Sequence, residues 1–385
     1  MYLTTTEQLR DAVSQLSRCD VVAIDTEFMR EKTYFAKLCL VQIAGGAETY
    51  LIDPLQGMDL TPLSDILTNP AIVKVFHAGG QDLEIFYQLF GRATAPVFDT
   101  QPASALVGHP EQVSYGALVA RECGVQLEKA DSFTDWARRP LTPAQVEYAR
   151  NDVVYLLQVY PLLREKIRAA GREGWLDEAF ASMGDPATYE VDYSSLWRKV
   201  KRVSGLAPRA LAVVAQVAEF REREAMRRNL PKRWVLSDET IVQIAHRKPR
   251  SKAELEQIRG ITKLAVTRAD ELIACVERAA ALPDEDLPSI VRTARPAFDL
   301  DPGVDLVVAL VRQRAKDHNV AMTQLATRAQ LEEFIRSRGE AGALAEGWRY
   351  AMVGAEAKAL IDGRASLTLS GGTLVFTPLD EEEER

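Results

Sequence analysis

Residues 21–31, VVAIDTEFMRE, decide the fold. Val21, Val22, Ala23 and Ile24 form an apolar run rich in β-branched residues, the composition of a buried strand. The run continues directly into Asp25 and Glu27. Side chains two apart on a strand share one face, so this places two carboxylates side by side at the edge of a core. There they repel, and burial makes each costly to ionise. One reading is a strand emerging into solvent. The other is a pair of hard oxygen ligands for a cation such as Mg²⁺ or Mn²⁺. The surrounding chain has to decide between them.

Outward from this stretch the first ~170 residues alternate strands and helices. KLCLVQIAG and TYLIDPL read as strands, a helix is expected around 60–67, AIVKVFHAG as a strand, a helix over 81–90 closed by Gly91, and PVFDT as a short strand. The pattern predicts an α/β domain with a central sheet covered by helices. From about Trp197 the chain reads as all-helical, with a long amphipathic stretch that puts Leu211, Val214, Val217 and Ala218 on one side and arginines on the other. Ser237 and Ser251 are expected N-caps. Residues 282–289, LPDEDLPS, look like a linker, and beyond it the rhythm of long and short helices repeats, which predicts two similar helical domains.

Length and composition bound the function class. The chain has 385 residues, 47% hydrophobic and 26% charged, enough for two or three globular domains. No basic leader followed by an apolar core opens it and no run of ~18 apolar residues interrupts it, so neither secretion nor membrane insertion is expected. Cys19, Cys39, Cys123 and Cys275 are never in C-x-x-C spacing, which argues against zinc and disulfides and for a reducing cytoplasm. The net charge of −8 is uneven: 1–196 carry −11, 197–280 carry +9, and 281–385 carry −6. A basic segment between acidic ones suits a phosphate backbone, although a solvated helical face has the same composition.

Three more features bear on the acid pair. Asp82 opens a helix just after a strand and the Gly79–Gly80 turn, a position the helix dipole favours for any acid. Thr142 and Pro143 mark a helix start, and Tyr148 and Asp152 stand four apart, on one helical face. Each is unremarkable alone. Together they form D-x-E … D … Y-x-x-x-D, which resembles the DEDD exonuclease superfamily on an RNase H-like fold, and tyrosine rather than histidine before the last acid indicates its tyrosine branch. IDTEFMREKTYFAKLCLVQIA, KVFHAGGQDLEIF, PVFDTQ and TDWARRPLTPAQVEYARNDVVYLL extend the likeness, while GLAPRALAVVAQVAEFREREAMRRNLPKRWVLSDETIVQIA and EGWRYAMVGAEAKALIDG resemble parts of two HRDC domains.

The resemblance implies an RNase H-like catalytic domain over 1–180, a linker at 181–203, a first HRDC domain at 204–283, a linker at 284–300, a second HRDC-like domain at 301–378 and an acidic tail at 379–385. It implies a 3′-to-5′ exoribonuclease that releases nucleoside 5′-monophosphates with two divalent ions, Mg²⁺ or Mn²⁺, roughly 4 Å apart. Asp25, Glu27 and Asp152 would hold the water-activating ion, with Asp25 bridging, and Asp82 would help hold the second directly or through water. Tyr148 would orient the attacking water, since a phenol that ionises near 10 is a poor base at neutral pH. Phe28 and Met29 would wedge against terminal bases or simply pack, and His77 would approach a phosphate or serve a structural hydrogen bond. Arg198, Lys199, Lys201 and Arg202 would contact RNA backbone. The expected partners are transfer-RNA precursors with single-stranded 3′ tails, acted on by a monomer. A DNA exonuclease is the alternative, because proofreading domains share the motif; a noncatalytic RNA-binding protein would be expected to lack an acid. No G-x-x-x-x-G-K-[ST] loop is present, which excludes a helicase. Because all five motif positions precede residue 197, truncation after Leu196 is expected to leave a folded α/β domain.

Overall fold

The computed structural model describes residues 1–127, 134–290 and 300–379. Residues 380–385 of the expected acidic tail at 379–385 and residues 291–299 of the expected linker at 284–300 lie outside the described residues. The chain forms two compact units, one of Met1–Thr26, Leu40–Thr188 and Ala294–Arg385, the other of Glu27–Cys39 and Tyr189–Thr293.

Six strands build the main sheet: β1 (Tyr2–Leu3), β2 (Val21–Met29), β3 (Lys37–Gly45), β4 (Glu48–Ile52), β5 (Val73–Phe76) and β6 (Val97–Asp99), in the order β1-β4-β3-β2-β5-β6. The five longer strands follow the expected ones. β1 was not expected, because two residues are too few to display a period; it pairs in parallel with β4, Leu3 opposite Ile52. β2 runs parallel to β5 with Val21 opposite Val73, and β5 parallel to β6, so the acids of β2 emerge from the interior of the sheet.

Helices cover this sheet: α1 (Thr6–Leu16), α2 (Leu63–Leu67), α3 (Gly80–Phe90), α4 (Thr100–Ala105), α5 (Tyr115–Cys123), α6 (Pro143–Ala169) and α7 (Asp177–Gly184). Thr142 caps α6 in a reciprocal pair with Gln145, and Pro143 occupies its first turn. A cap of this kind contributes about 1 kcal/mol. The inward stripe of α6, Ala149, Val153, Leu156, Tyr160, Leu163 and Ile167, advances by four and three residues, and from Val153 onward it shares a core with Ala23, Val75, Phe98 and Leu118. Each large apolar side chain buried there contributes about 1.5–3 kcal/mol, so packing outweighs the cap in holding the helix. The stripe also aims the neighbouring Asp152 toward the β2 end of the sheet.

The C-terminal part of this unit contains helices Asp301–Asp317 and Arg328–Arg336 and then a hairpin of β7 (Ala365–Ser370) and β8 (Thr373–Pro378). The expectation of an all-α second HRDC domain is corrected here. SLTLS, 366–370, alternates polar and apolar residues, TLVF, 373–376, is rich in β-formers, and Gly371 and Gly372 between them have φ of 58° and 81°, which suit a tight hairpin turn. This part also packs on the catalytic portion. The Ala321 amide donates to Ala105 O at 2.8 Å, Arg172 donates to His318 O at 2.6 Å, and the Trp175 and Trp348 rings stack at 3.9 Å. Truncation after Leu196 would remove these contacts, which the expectation of a folded 1–196 domain did not include.

In the other unit, α8 (Pro208–Arg228) buries Leu211, Val214, Val217 and Ala218 as expected, and Ser237 and Ser251 cap the helices Asp238–Arg247 and Lys252–Glu256. Asn229 ends α8 with φ 51°, and its side-chain oxygen accepts the backbone amides of Tyr34 and Phe35 at 3.1 and 2.9 Å. Tyr34 donates its hydroxyl to Glu222. The basic composition overstates free positive charge: Arg221 pairs with Asp238, Arg223 with Glu219, Arg227 and Arg228 with Glu224, and Lys232 with Glu222.

Candidate active site and metal centre

The strand that raises the question of the paired acids carries them to Asp152. Carboxylate oxygens of Asp25 and Glu27, from β2, and of Asp152, from α6, all lie within 4.8 Å of one another. Three anions this close are unfavourable unless protonated or bound to a cation. Burial pushes the Asp152 carboxyl up to about 7, against the pull of a hydrogen bond from Tyr148. Its Oδ2 atom is buried and has no hydrogen-bond partner. Hard oxygen donors with an orphaned buried lone pair fit a divalent metal ion.

Tyr148 sits one turn before Asp152, and its hydroxyl donates to that carboxylate. The Trp136 ring, 8% exposed, lies 6.0 Å from the Tyr148 ring. Asp82 stands apart from the triple. It opens α3, is 6% exposed, and accepts the hydroxyl of Thr26, the residue between the two acids of β2; burial pushes it up to about 6. The turn ahead of α3 is held by Asp99, whose carboxylate accepts the amides of Ala78 and Gly79 at 2.9 Å each. A Cβ on Gly79 would lie 2.5 Å from that of Phe76, so only glycine fits without a shift.

Asp25, Tyr148 and Asp152 line a cavity of about 1080 Å³ together with His77, Tyr115 and the start of α5, ample for a nucleotide. His77 does not present a free nitrogen to it: Nδ1 lies 2.9 Å from Thr100 Oγ1 and Nε2 3.1 Å from the Val113 carbonyl, and burial lowers its basicity. Phe28 and Met29 are half-buried at the end of β2. Arg198, Lys199, Lys201 and Arg202 are exposed, with the Arg198 guanidinium 5.1 Å from the Trp197 ring centre. Sequence reasoning passed over Thr26, Asp99 and Trp136, because a single residue of this kind carries no period or spacing of its own.

Acids from a central strand and a crossing helix, with a phenol one turn before the last acid, define a metal-dependent 3′-5′ exonuclease of the DEDD class. A sequence profile described as 3′-5′ exonuclease matches residues 1–168, and one described as HRDC domain matches residues 210–276. The chain is similar to ribonuclease D of Sphingobium indicum, 38% identical over 97% of this chain and 98% of that one, and of Gluconacetobacter diazotrophicus, 40% identical over 96% and 94%. Its structure is similar to that of Escherichia coli RNase D, described as an exoribonuclease involved in structured RNA processing, with a TM-score of 0.79 and 32% identity over 94% of this chain and 98% of that one. The chain belongs to the ribonuclease D family and is a 3′-5′ exoribonuclease. One HRDC domain is matched by profile; the C-terminal region is helical with a terminal hairpin.

Proposed function

We propose that this exoribonuclease trims single-stranded 3′ tails of structured RNA, transfer-RNA precursors among them, releasing nucleoside 5′-monophosphates. The observation that carries the reading is the Asp25–Glu27–Asp152 triple with the unpartnered Asp152 oxygen, opening on a cavity of nucleotide size. Two divalent ions, Mg²⁺ or Mn²⁺, would supply the positive charge that neutralises the phosphodiester oxygens and the acidity that makes water a nucleophile at neutral pH. Asp25, Glu27 and Asp152 would hold one ion, with Asp25 shared, and Asp82 would serve the second directly or through water. Tyr148 positions the attacking water by its hydroxyl, which donates to Asp152. Phe28 and Met29 offer apolar contact to terminal bases, and Arg198, Lys199, Lys201 and Arg202 offer charge to the RNA backbone.

The protein is expected to act as a monomer in a reducing cytoplasm, consistent with four free cysteines. No helix among the described residues is long and apolar enough to cross a membrane. Matched 5′-labelled RNA and DNA, each with a duplex body and a single-stranded 3′ tail, test the reading when incubated with and without Mg²⁺ or Mn²⁺. Stepwise metal-dependent shortening of RNA that stops near the duplex is expected. Equal or faster shortening of DNA would replace the RNA assignment, and shortening in chelator would remove the metal.

A further inference from the structure

The segment that leads into α6 is built around one guanidinium. Arg139 donates from Nε and Nη2 to the two carboxylate oxygens of Asp53, both at 2.7 Å, and from Nη1 to the carbonyls of Trp136 and Arg138 at 2.8 and 2.9 Å. Asp53 has no exposed surface. It lies just past β4, where it also accepts the Tyr2 hydroxyl at 2.6 Å, the Leu55 amide at 3.1 Å and Gln56 Nε2 at 3.0 Å. Its ionised carboxylate is thus matched by five donors, and the arginine spans the sheet edge and the loop 136–139. Only a planar fork can do both, because a lysine ammonium has no paired donors set at carboxylate spacing. Closing the loop on Arg139 places the Trp136 ring against the Tyr148 ring, 6.0 Å between centres. Gln145, one turn ahead of Tyr148, reaches back to Thr134 at 2.9 Å and ties the same loop to the helix.

We infer that Arg139, clamped by Asp53, is a positioning residue for the reaction: it fixes Trp136, and Trp136 fixes the Tyr148 ring so that its hydroxyl stays aimed at the acid cluster. Among the described residues, Arg139 is neither part of the catalytic cavity lining nor of the acid cluster. The route from Arg139 to the reaction runs through Trp136 and Tyr148. This rests on the water-orienting role proposed for Tyr148.

A double-mutant cycle tests it. kcat and KM on a single-stranded oligoribonucleotide with Mn²⁺ are measured for Arg139→Lys, Trp136→Leu, Tyr148→Phe and the two doubles with Tyr148→Phe, with folding checked by circular dichroism and melting temperature. Misplacing a catalytic contact costs on the order of 10-fold or more. Arg139→Lys and Trp136→Leu should each lower kcat about 10-fold with KM nearly unchanged, and neither should lower it further in the Tyr148→Phe background. If Arg139→Lys does not fold, Trp136→Leu decides. Unchanged kcat in the folded single variants, or the same fold loss with and without the Tyr148 hydroxyl, overturns the inference. A Tyr148→Phe enzyme with full activity would instead overturn the role of Tyr148 itself.

Discussion

Asp25 is the residue on which the electrostatics of the site converge, since it shares a face of β2 with Glu27 and meets Asp152 across from it. Asp25→Asn keeps the shape and removes one charge, so hydrolysis of RNA should fall below a few per cent of wild type. Relief of repulsion should raise the melting temperature in chelator; activity above that level, measured at saturating Mn²⁺, would contradict the ligand assignment. Tyr148→Phe deletes only a hydroxyl, and kcat should drop roughly 10- to 1000-fold with RNA affinity unchanged, as for other single catalytic hydrogen bonds. The raised carboxyl of Asp152 makes a pH prediction for the metal-free protein. Unfolded, it loses its proton near 4; folded, near 7. Between those values the folded state binds more protons, so this group's contribution to stability is present below pH about 4 and is lost as pH rises through about 7. The melting temperature of Asp152→Asn minus that of wild type, both in chelator, should grow from pH 4.5 to 7.5; a constant difference would show that Asp152 titrates normally.

At the scale of elements, the placement of Asp82 depends on the turn between β5 and α3. Ala78 adopts φ 56°, unusual for a residue with a Cβ, and the two amides donated to Asp99 hold it there. Gly79→Ala would drive a methyl into the Phe76 side chain at 2.5 Å. Relief requires moving the first turn of α3, at a cost of about 1–3 kcal/mol typical of overpacking. The variant should melt several degrees lower and lose kcat, because Asp82 moves with the turn. Retained kcat in a destabilised but folded protein would separate Asp82 from the chemistry. The elements themselves were largely legible: α6 announced its start through Thr142 and Pro143 and set Tyr148 and Asp152 on one face by their spacing, and both survive in the structure. The hairpin at 365–378 was legible in the alternation of its first strand and its Gly-Gly turn, and was passed over because the neighbouring helices set the expectation.

For the whole molecule, charge and connectivity are the quantities that matter. Most arginines of the helix ending at Arg228 are paired to carboxylates, whereas Arg198, Lys199, Lys201 and Arg202 remain exposed. Changing those four to alanine should weaken binding of a hairpin RNA with a 3′ tail and flatten the dependence of log K on log salt by up to roughly 3, while kcat on a short oligonucleotide stays near wild type. A salt titration of both proteins checks this, and equal slopes would leave the cluster as solvated surface. What the sequence determined by itself was whatever repeats or has a fixed spacing: the strands, the amphipathic helices, the D-x-E, and the Tyr148–Asp152 pair four residues apart. These are local, set by the period of the backbone and by side chains on one face of one element. Only the tertiary structure decided that Arg139 finds Asp53, 86 residues away, that Trp136 lies on Tyr148, that Asp82 turns to Thr26, and that residues 300–379 pack on the catalytic portion through Trp175 and Trp348. Such contacts join single residues from distant segments, brought together by burial of the core between them, and no period along the chain records them.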